Sequence, residues 1–149
     1  MNDKTIQIYT DGGSRGNPGP AGIGVVFCDR SGKMIHEYKK AIGRATNNEA
    51  EYSAILEALK ILSKSSWFVE NDSADRSVDC FLDSQLVVEQ LNGRYKIKQP
   101  HIADFVNSIK AEIIKLDLKI SFTHIPREKN KEADRLVNEA LDEQKENNA

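Results

Sequence analysis

The stretch TIQIYTDGGSRGNPGPAGIGVVFC, Thr5 to Cys28, decides how the rest of the chain is read. In Thr5–Asp11 apolar and polar residues alternate, with Ile6 and Ile8 on one face. A period of two marks a half-buried strand. Asp11 closes that strand, and the run Gly12-Gly13-Ser14-Arg15-Gly16-Asn17-Pro18-Gly19-Pro20 follows as a loop. Ala21–Cys28 is almost wholly apolar or glycine, and Met34–Ile42 follows the turn Asp29-Arg30-Ser31-Gly32. Two such strands across a short glycine turn form an antiparallel hairpin.

Downstream the period changes. Thr46-Asn47-Asn48-Glu49 has the spacing of a capping box, and Ala50, Ala54, Ile55, Ala58, Leu59 and Leu62 then share one helical face. After the polar stretch Glu70–Ser77, Val78–Leu82 reads as a short strand that again ends in an acid, Asp83. Ser84–Leu91 is a short helix stopped by Asn92-Gly93. Pro100 opens another, with Ile102, Phe105, Val106, Ile109, Ile113 and Leu116 in helical register. Leu118, Ile120 and Phe122 alternate in a last strand. Asn130 suits the N-cap of a final helix with Ala133, Val137, Ala140 and Leu141 on its core face. The order β-β-β-α-β-α-α-β-α predicts one α/β domain over residues 1–141, a mixed sheet with helices packed on it. From Asp142 to residue 149 a polar tail is expected to fray.

Length and composition narrow the classes. A chain of 149 residues corresponds to one domain and can build a core without disulfides or a structural metal. Lys and Arg number 21 against 23 Asp and Glu, a net charge of −2, which excludes a polycation. With 39% hydrophobic and 30% charged residues the chain is too apolar for disorder. No apolar run approaches the ~20 residues needed to cross a bilayer. Met1–Thr5 shows no apolar leader, so a soluble cytoplasmic protein with no membrane role is expected. Cys28 and Cys80 are too few for a metal box and read as small buried hydrophobes.

The acids are the informative residues. Asp11 and Asp83 fall at the C-terminal ends of strands, where α/β sheets place their ligands. Glu51 and Asp134 lie in the first turns of helices. If the strands of Asp11 and Asp83 are parallel neighbours, their carboxylates stand about one strand spacing (~4.8 Å) apart and repel. A divalent cation relieves that repulsion. An all-carboxylate set favours hard Mg²⁺ or Mn²⁺ over zinc, and two-metal phosphodiester cleavage is the natural chemistry. Helix first turns also favour Asp and Glu for their own sake, and spacing alone leaves both readings open. The glycine-rich loop is likewise a long turn or a backbone surface that lets a phosphate or sugar approach.

Taken in order, Thr10–Pro20, Thr46-Asn47-Asn48-Glu49-Ala50-Glu51, Asp83-Ser84-Gln85 and Asn130-Lys131-Glu132-Ala133-Asp134 resemble the successive signatures of type 1 ribonuclease H. The resemblance covers roughly residues 5–141. It implies a ribonuclease H-like fold, a five-stranded mixed sheet ordered 3-2-1-4-5 with helices on both faces. In that order the first strand separates those of Cys28 and Cys80 by two spacings, ~9–10 Å, so the thiols stay free.

The implied function is hydrolysis of the RNA strand of an RNA–DNA hybrid, leaving 5′-phosphate and 3′-hydroxyl ends. Asp11, Glu51, Asp83 and Asp134 would hold two divalent cations, Mg²⁺ with Mn²⁺ as the alternative. Asp11 would bridge both ions, Asp134 would complete the site of the ion carrying the attacking water, and Glu51 and Asp83 would hold the other. The 2′-hydroxyl distinguishes RNA from DNA at one site. Backbone groups of Gly12, Gly13 and Ser14 and the amides of Asn17, Asn47, Asn48 and Gln85 are its candidate readers, although Asn47 or Asn48 also suits a helix cap. Arg44 and Thr46 match the family's pocket for a DNA-strand phosphate. Such contacts carry little base information, so cleavage is expected to be nearly sequence-independent. A monomer without an obligate protein partner is expected.

Two departures stand out. The basic protrusion that many members carry is absent, and Gly93–Gln99 alone joins the two middle helices. Arg94, Lys96 and Lys98, with Tyr95, form either a small basic substitute or an ordinary solvated loop. The loop Pro126–Asn130 also lacks the family's mobile histidine. Arg127 is the candidate for its auxiliary role through electrostatics, with His124 and Glu128 as alternatives. Two rival readings are a DNA-acting nuclease or transposase on the same fold and a non-catalytic nucleic-acid binder. Asn47, Asn48 and the Gly-Gly-Ser loop speak against the first, and four retained carboxylates against the second.

Overall fold

β1 (Thr5–Ser14) runs through the centre of a five-stranded sheet, between β2 (Gly19–Cys28) and β4 (Ser77–Leu82). β3 (Met34–Ala45) and β5 (Lys119–His124) form the edges, giving the order β3-β2-β1-β4-β5. The first three strands pair antiparallel, whereas β1–β4 and β4–β5 are parallel. This computed structural model describes residues 4–70 and 75–147. Part of the polar stretch Glu70–Ser77, the extreme N-terminus and the last two residues of the expected tail lie outside the described residues.

The alternation in β1 sends Ile6 and Ile8 into the main core. There they meet α1 (Asn47–Lys64) and α4 (Pro100–Leu116) through Ile55, Leu59, Val106 and Ile109. The short helices α2 (Ser66–Val69) and α3 (Gln85–Leu91) close the same side. The opposite face is covered by α5 (Lys131–Asn147), whose Ala133 and Leu136 pack with Val26 and Cys28. Cys28 and Cys80 are free and buried on opposite faces of the sheet, with β1 between their strands. Among the described residues no helix is long and apolar enough to cross a membrane.

Three expectations need correction. β1 does not end at Asp11. It continues through Gly12-Gly13-Ser14, which pair with Ile23, Gly22 and Ala21, so the first third of the glycine-rich loop is extended strand held by β2. The expected tail is helical to Asn147. Asp142 pairs with Arg15 at 2.7 Å and Glu143 with Lys39 at 2.6 Å, which ties those turns to the loop after β1 and to β3. α2 has no counterpart in the element order the sequence predicts; Ser65 caps it, and Trp67 is buried beneath the Arg76 guanidinium.

Candidate active site

β1 and β4 end their parallel pairing at Thr10 and Leu82, and the next residue on each chain is an acid, Asp11 and Asp83. Glu51 reaches the same point from α1. The start of that helix is set by the expected capping box: the Thr46 hydroxyl accepts from Glu49 N, and the Glu49 carboxylate accepts from Thr46 N. The approach of α1 to β1 is set by Gly12. A Cβ there would stand 2.3 Å from the carbonyl carbon and oxygen of Ala50, closer than any side chain tolerates. Gly12 thus has a packing role that its sequence position among candidate sugar readers does not reveal.

Asp11, Glu51 and Asp83 each offer a carboxylate oxygen, and these oxygens lie within 4.8 Å of one another. Asp11 and Glu51 are 7% exposed. Burial first, and then the Asp83 carboxylate, push Asp11 up to about 7; a hydrogen bond with Glu51 opposes this, and Asp134 adds to it. Glu51 is held well above the usual carboxylate range, by burial and then by Asp11 and Asp83. The Glu51 Oε2 atom is buried without a hydrogen-bond partner. The described ion pairs all lie elsewhere. An unpartnered buried oxygen inside a cluster of like charges costs free energy that a hard divalent cation would relieve, so the donor set fits such an ion.

Asp134, in the first turn of α5, is exposed and stands outside the tight group. It still lines one open cleft of about 430 Å³ with Asp11, Glu51, Asp83, Asn47, Asn48 and Arg127. Arg127 comes from the short 3₁₀ turn Arg127–Lys129 and is exposed. His124 is exposed at the end of β5 and does not line this cleft. Ser84, the N-cap of α3, lines it, whereas Gln85 one residue further does not.

The hairpin amides are already engaged. Asn47 Oδ1 accepts from both Ser14 N and Ser14 Oγ, and Asn47 N donates to Asn17 Oδ1. These bonds fasten the β1–β2 ribbon to the start of α1 and leave the Asn47 Nδ2 donors for other partners. Neither Asn47 nor Asn48 caps α1, because Thr46 does. A Cβ on Gly13 would meet nothing closer than 3.7 Å, so that position has room. Arg44 is exposed near the end of β3, two residues before Thr46.

Asn130 does not make the expected N-cap of α5, since its Oδ1 is buried without a hydrogen-bond partner. It is 1% exposed, and its Nδ2 donates to the Thr10 carbonyl at 2.9 Å and to Asp83 Oδ2 at 3.0 Å. One amide thereby joins β1, the end of β4 and the start of α5 behind the carboxylates. The signal was its place in the Asn130–Asp134 segment, but the residue type suits capping equally well.

The basic loop Gly93–Gln99 borders a second groove of about 490 Å³, which shares Asn48 with the acidic cleft. Lys96 and Lys98 are exposed there. Arg94 is exposed too, but its guanidinium is paired with Glu89 of α3, through Nε at 2.6 Å and Nη2 at 2.8 Å.

Known proteins match this geometry. A family profile described as reverse transcriptase-like covers residues 9–140. The bifunctional protein Rv2228c of Mycobacterium tuberculosis is 40% identical over 139 residues, 92% of this chain but 35% of that protein. Ribonuclease HI of Halobacterium salinarum is 38% identical over 138 residues, 93% of this chain and 65% of the relative. This chain therefore spans about a third of the mycobacterial relative and under two thirds of the halobacterial one. The solved structure of LC11-RNase H1, isolated from compost by a metagenomic approach, superposes with a TM-score of 0.87 at 46% identity, covering 97% of this chain and 99% of that one. The same protein has been solved in complex with an RNA/DNA hybrid, again with a TM-score of 0.87, at 45% identity over 93% of this chain and 98% of that one. Identity of 38–46% with named ribonucleases H, near-complete coverage of a solved relative and a shared fold agree: the chain belongs to the type 1 ribonuclease H family.

Proposed function

We propose that this chain is an endoribonuclease that hydrolyses the RNA strand of RNA–DNA hybrids, giving 5′-phosphate and 3′-hydroxyl ends with little regard to sequence. The convergence of Asp11, Glu51 and Asp83 around an unpartnered Glu51 oxygen, in a cleft edged by Asn47 and Asn48, carries the reading. With Asp134 these residues would hold two divalent cations, Mg²⁺ or Mn²⁺. Bound there, the cations would activate water for attack on phosphorus and steady the leaving oxygen.

The remaining roles fall to the chain itself. Asn130 holds Asp83 in orientation. The Asn47 Nδ2 group, Asn48 and the backbone of Gly12, Gly13 and Ser14 face the ribose hydroxyls, with Asn17 fixing the ribbon and Gln85 at the rim. Arg44 and the Thr46 hydroxyl proton, which the cap does not use, take a DNA-strand phosphate. Arg127 adds positive charge beside the scissile phosphate, where its fixed guanidinium acts electrostatically rather than as a proton carrier. Lys96 and Lys98 extend the duplex contact. A cytoplasmic monomer is the working form.

The test is cleavage of an end-labelled RNA–DNA hybrid with Mg²⁺, Mn²⁺ or EDTA, beside matched DNA–DNA and RNA–RNA duplexes. Metal-dependent cutting of the hybrid's RNA strand alone is expected. Cutting of the DNA duplex would replace this reading with a DNA nuclease, and binding without cutting under either metal would make the chain a binder.

A further inference from the structure

Tyr52 follows Glu51 in α1 and is fully buried, its ring stacked against Phe105 of α4 with centroids 6.2 Å apart. Its hydroxyl donates a 2.5 Å hydrogen bond to Gln90 Oε1. Gln90 Nε2 in turn donates to the Lys96 carbonyl at 3.2 Å. Two hydrogen bonds thus connect the helical turn that carries Glu51 to the backbone of the basic loop. A second anchorage lies beside the first. The backbone nitrogens of Arg94 and Tyr95 donate to the Glu89 carbonyl, and the Arg94 guanidinium grips the Glu89 carboxylate.

This arrangement divides the three expected cations. All three are exposed, but Arg94 is paired with Glu89 of α3, whereas Lys96 and Lys98 take part in none of the described ion pairs. The groove they border meets the acidic cleft at Asn48. We propose that Gln90 is a positioning residue for substrate. Held by Tyr52, it fixes the Lys96 backbone so that Lys96 and Lys98 meet the phosphates of a duplex seated on the acidic cleft. The proposal rests on the hybrid-cleaving reading above.

The physical gain is preorganisation. An untethered exposed loop must be ordered when a duplex binds, and that entropy is subtracted from affinity. A loop already tied at Lys96 avoids part of the cost, which matters in a protein whose net charge of −2 gives a duplex no general attraction. A role limited to satisfying the buried phenol would need an acceptor only. The second bond, from Nε2 to the loop, goes beyond that need.

The test compares wild type, Gln90→Met, Tyr52→Phe and a Lys96→Met/Lys98→Met variant on an end-labelled RNA–DNA hybrid. KM and kcat are read with Mg²⁺, and Kd is read by anisotropy in EDTA. Gln90→Met is expected to raise KM and Kd about 3–10-fold with kcat within about twofold, the split that marks lost binding rather than lost chemistry. It is also expected to lower the slope of log Kd against log salt by about one phosphate contact. Added to the lysine variant it is expected to do nothing more, because the two act through one contact. Tyr52→Phe leaves Gln90 unheld but present and is expected to raise KM less.

A lowered melting temperature with unchanged KM, Kd and salt slope would reduce Gln90 to a structural residue, and additivity with the lysine variant would also overturn the proposal. Failure of the parent reading looks different. Wild type would then cut no hybrid in either metal, while Gln90→Met would still weaken binding in EDTA.

Discussion

Gly12 lies so close beneath Glu51 that a Cβ on it would stand 2.6 Å from the Glu51 backbone nitrogen. The seat of one carboxylate is therefore set by the missing side chain of another residue. Gly12→Ala must move α1 away from β1 or fail to pack, and overpacking of this kind costs about 1–3 kcal/mol or more. We expect a lower urea midpoint together with a fall in cleavage larger than the stability loss explains. Gly13→Ala, where a Cβ finds nothing nearer than 3.7 Å, is the matched control and is expected to keep the fold. Equal behaviour of the two variants would remove the packing argument.

Asp11→Asn is expected to abolish cleavage while stabilising the metal-free protein. The sign follows from Asp11 being pushed up to about 7 in the fold from an ordinary 3.8. Between those values the folded state keeps a proton that the unfolded chain has released, so stability falls as pH rises and levels off above 7. Below about pH 4 variant and wild type are expected to match in this respect; near pH 7 the variant gains about 1–3 kcal/mol. Urea titrations in EDTA across that range check it, and a pH-independent difference would contradict buried charge at Asp11. Mn²⁺ is expected to raise the melting temperature of wild type and to do little for Asp11→Asn.

Asn130→Ala removes the amide shared by the Thr10 carbonyl and Asp83. Leaving buried groups without a partner costs about 1–3 kcal/mol. Turnover is expected to fall further than stability accounts for, because Asp83 loses its orienting bond. Retained kcat in a destabilised variant would mean that Asn130 serves the fold alone.

Arg127→Ala is expected to lower kcat by about tenfold or more with hybrid binding in EDTA unchanged. Chemical denaturation is expected to be unaffected, since the side chain is exposed. Wild-type kinetics in this variant would return the auxiliary role to His124 or Glu128.

What could be read in advance depended on the range of the interaction. The capping box is legible because Thr46 and Glu49 are three residues apart and both bonds are local. Asp11 and Asp83 are legible because each follows directly on the alternating run of its strand, at the point where the β1–β4 pairing stops. The extension of β1 through Ser14 is not, because glycine has no strand preference and β2 supplies the pairing. The last turns of α5 look like a fraying tail until Arg15 meets Asp142, 127 positions away in the chain. Asn130 shows the remaining limit: an Asn before a helix suits capping on sequence grounds, and only the fold turns its amide toward Asp83.

The two cysteines make the layers of this molecule separately observable. Cys80 lies in the layer beneath α1 and α4, where burial pushes its thiol up to about 12; Cys28 lies under α5, also raised by burial. Each reacts with a thiol reagent only when its own layer opens and a thiolate can form. Labelling kinetics on the unaltered protein thus report, without any engineered probe, whether α5 lifts from the sheet before the main core gives way or the two faces are lost together.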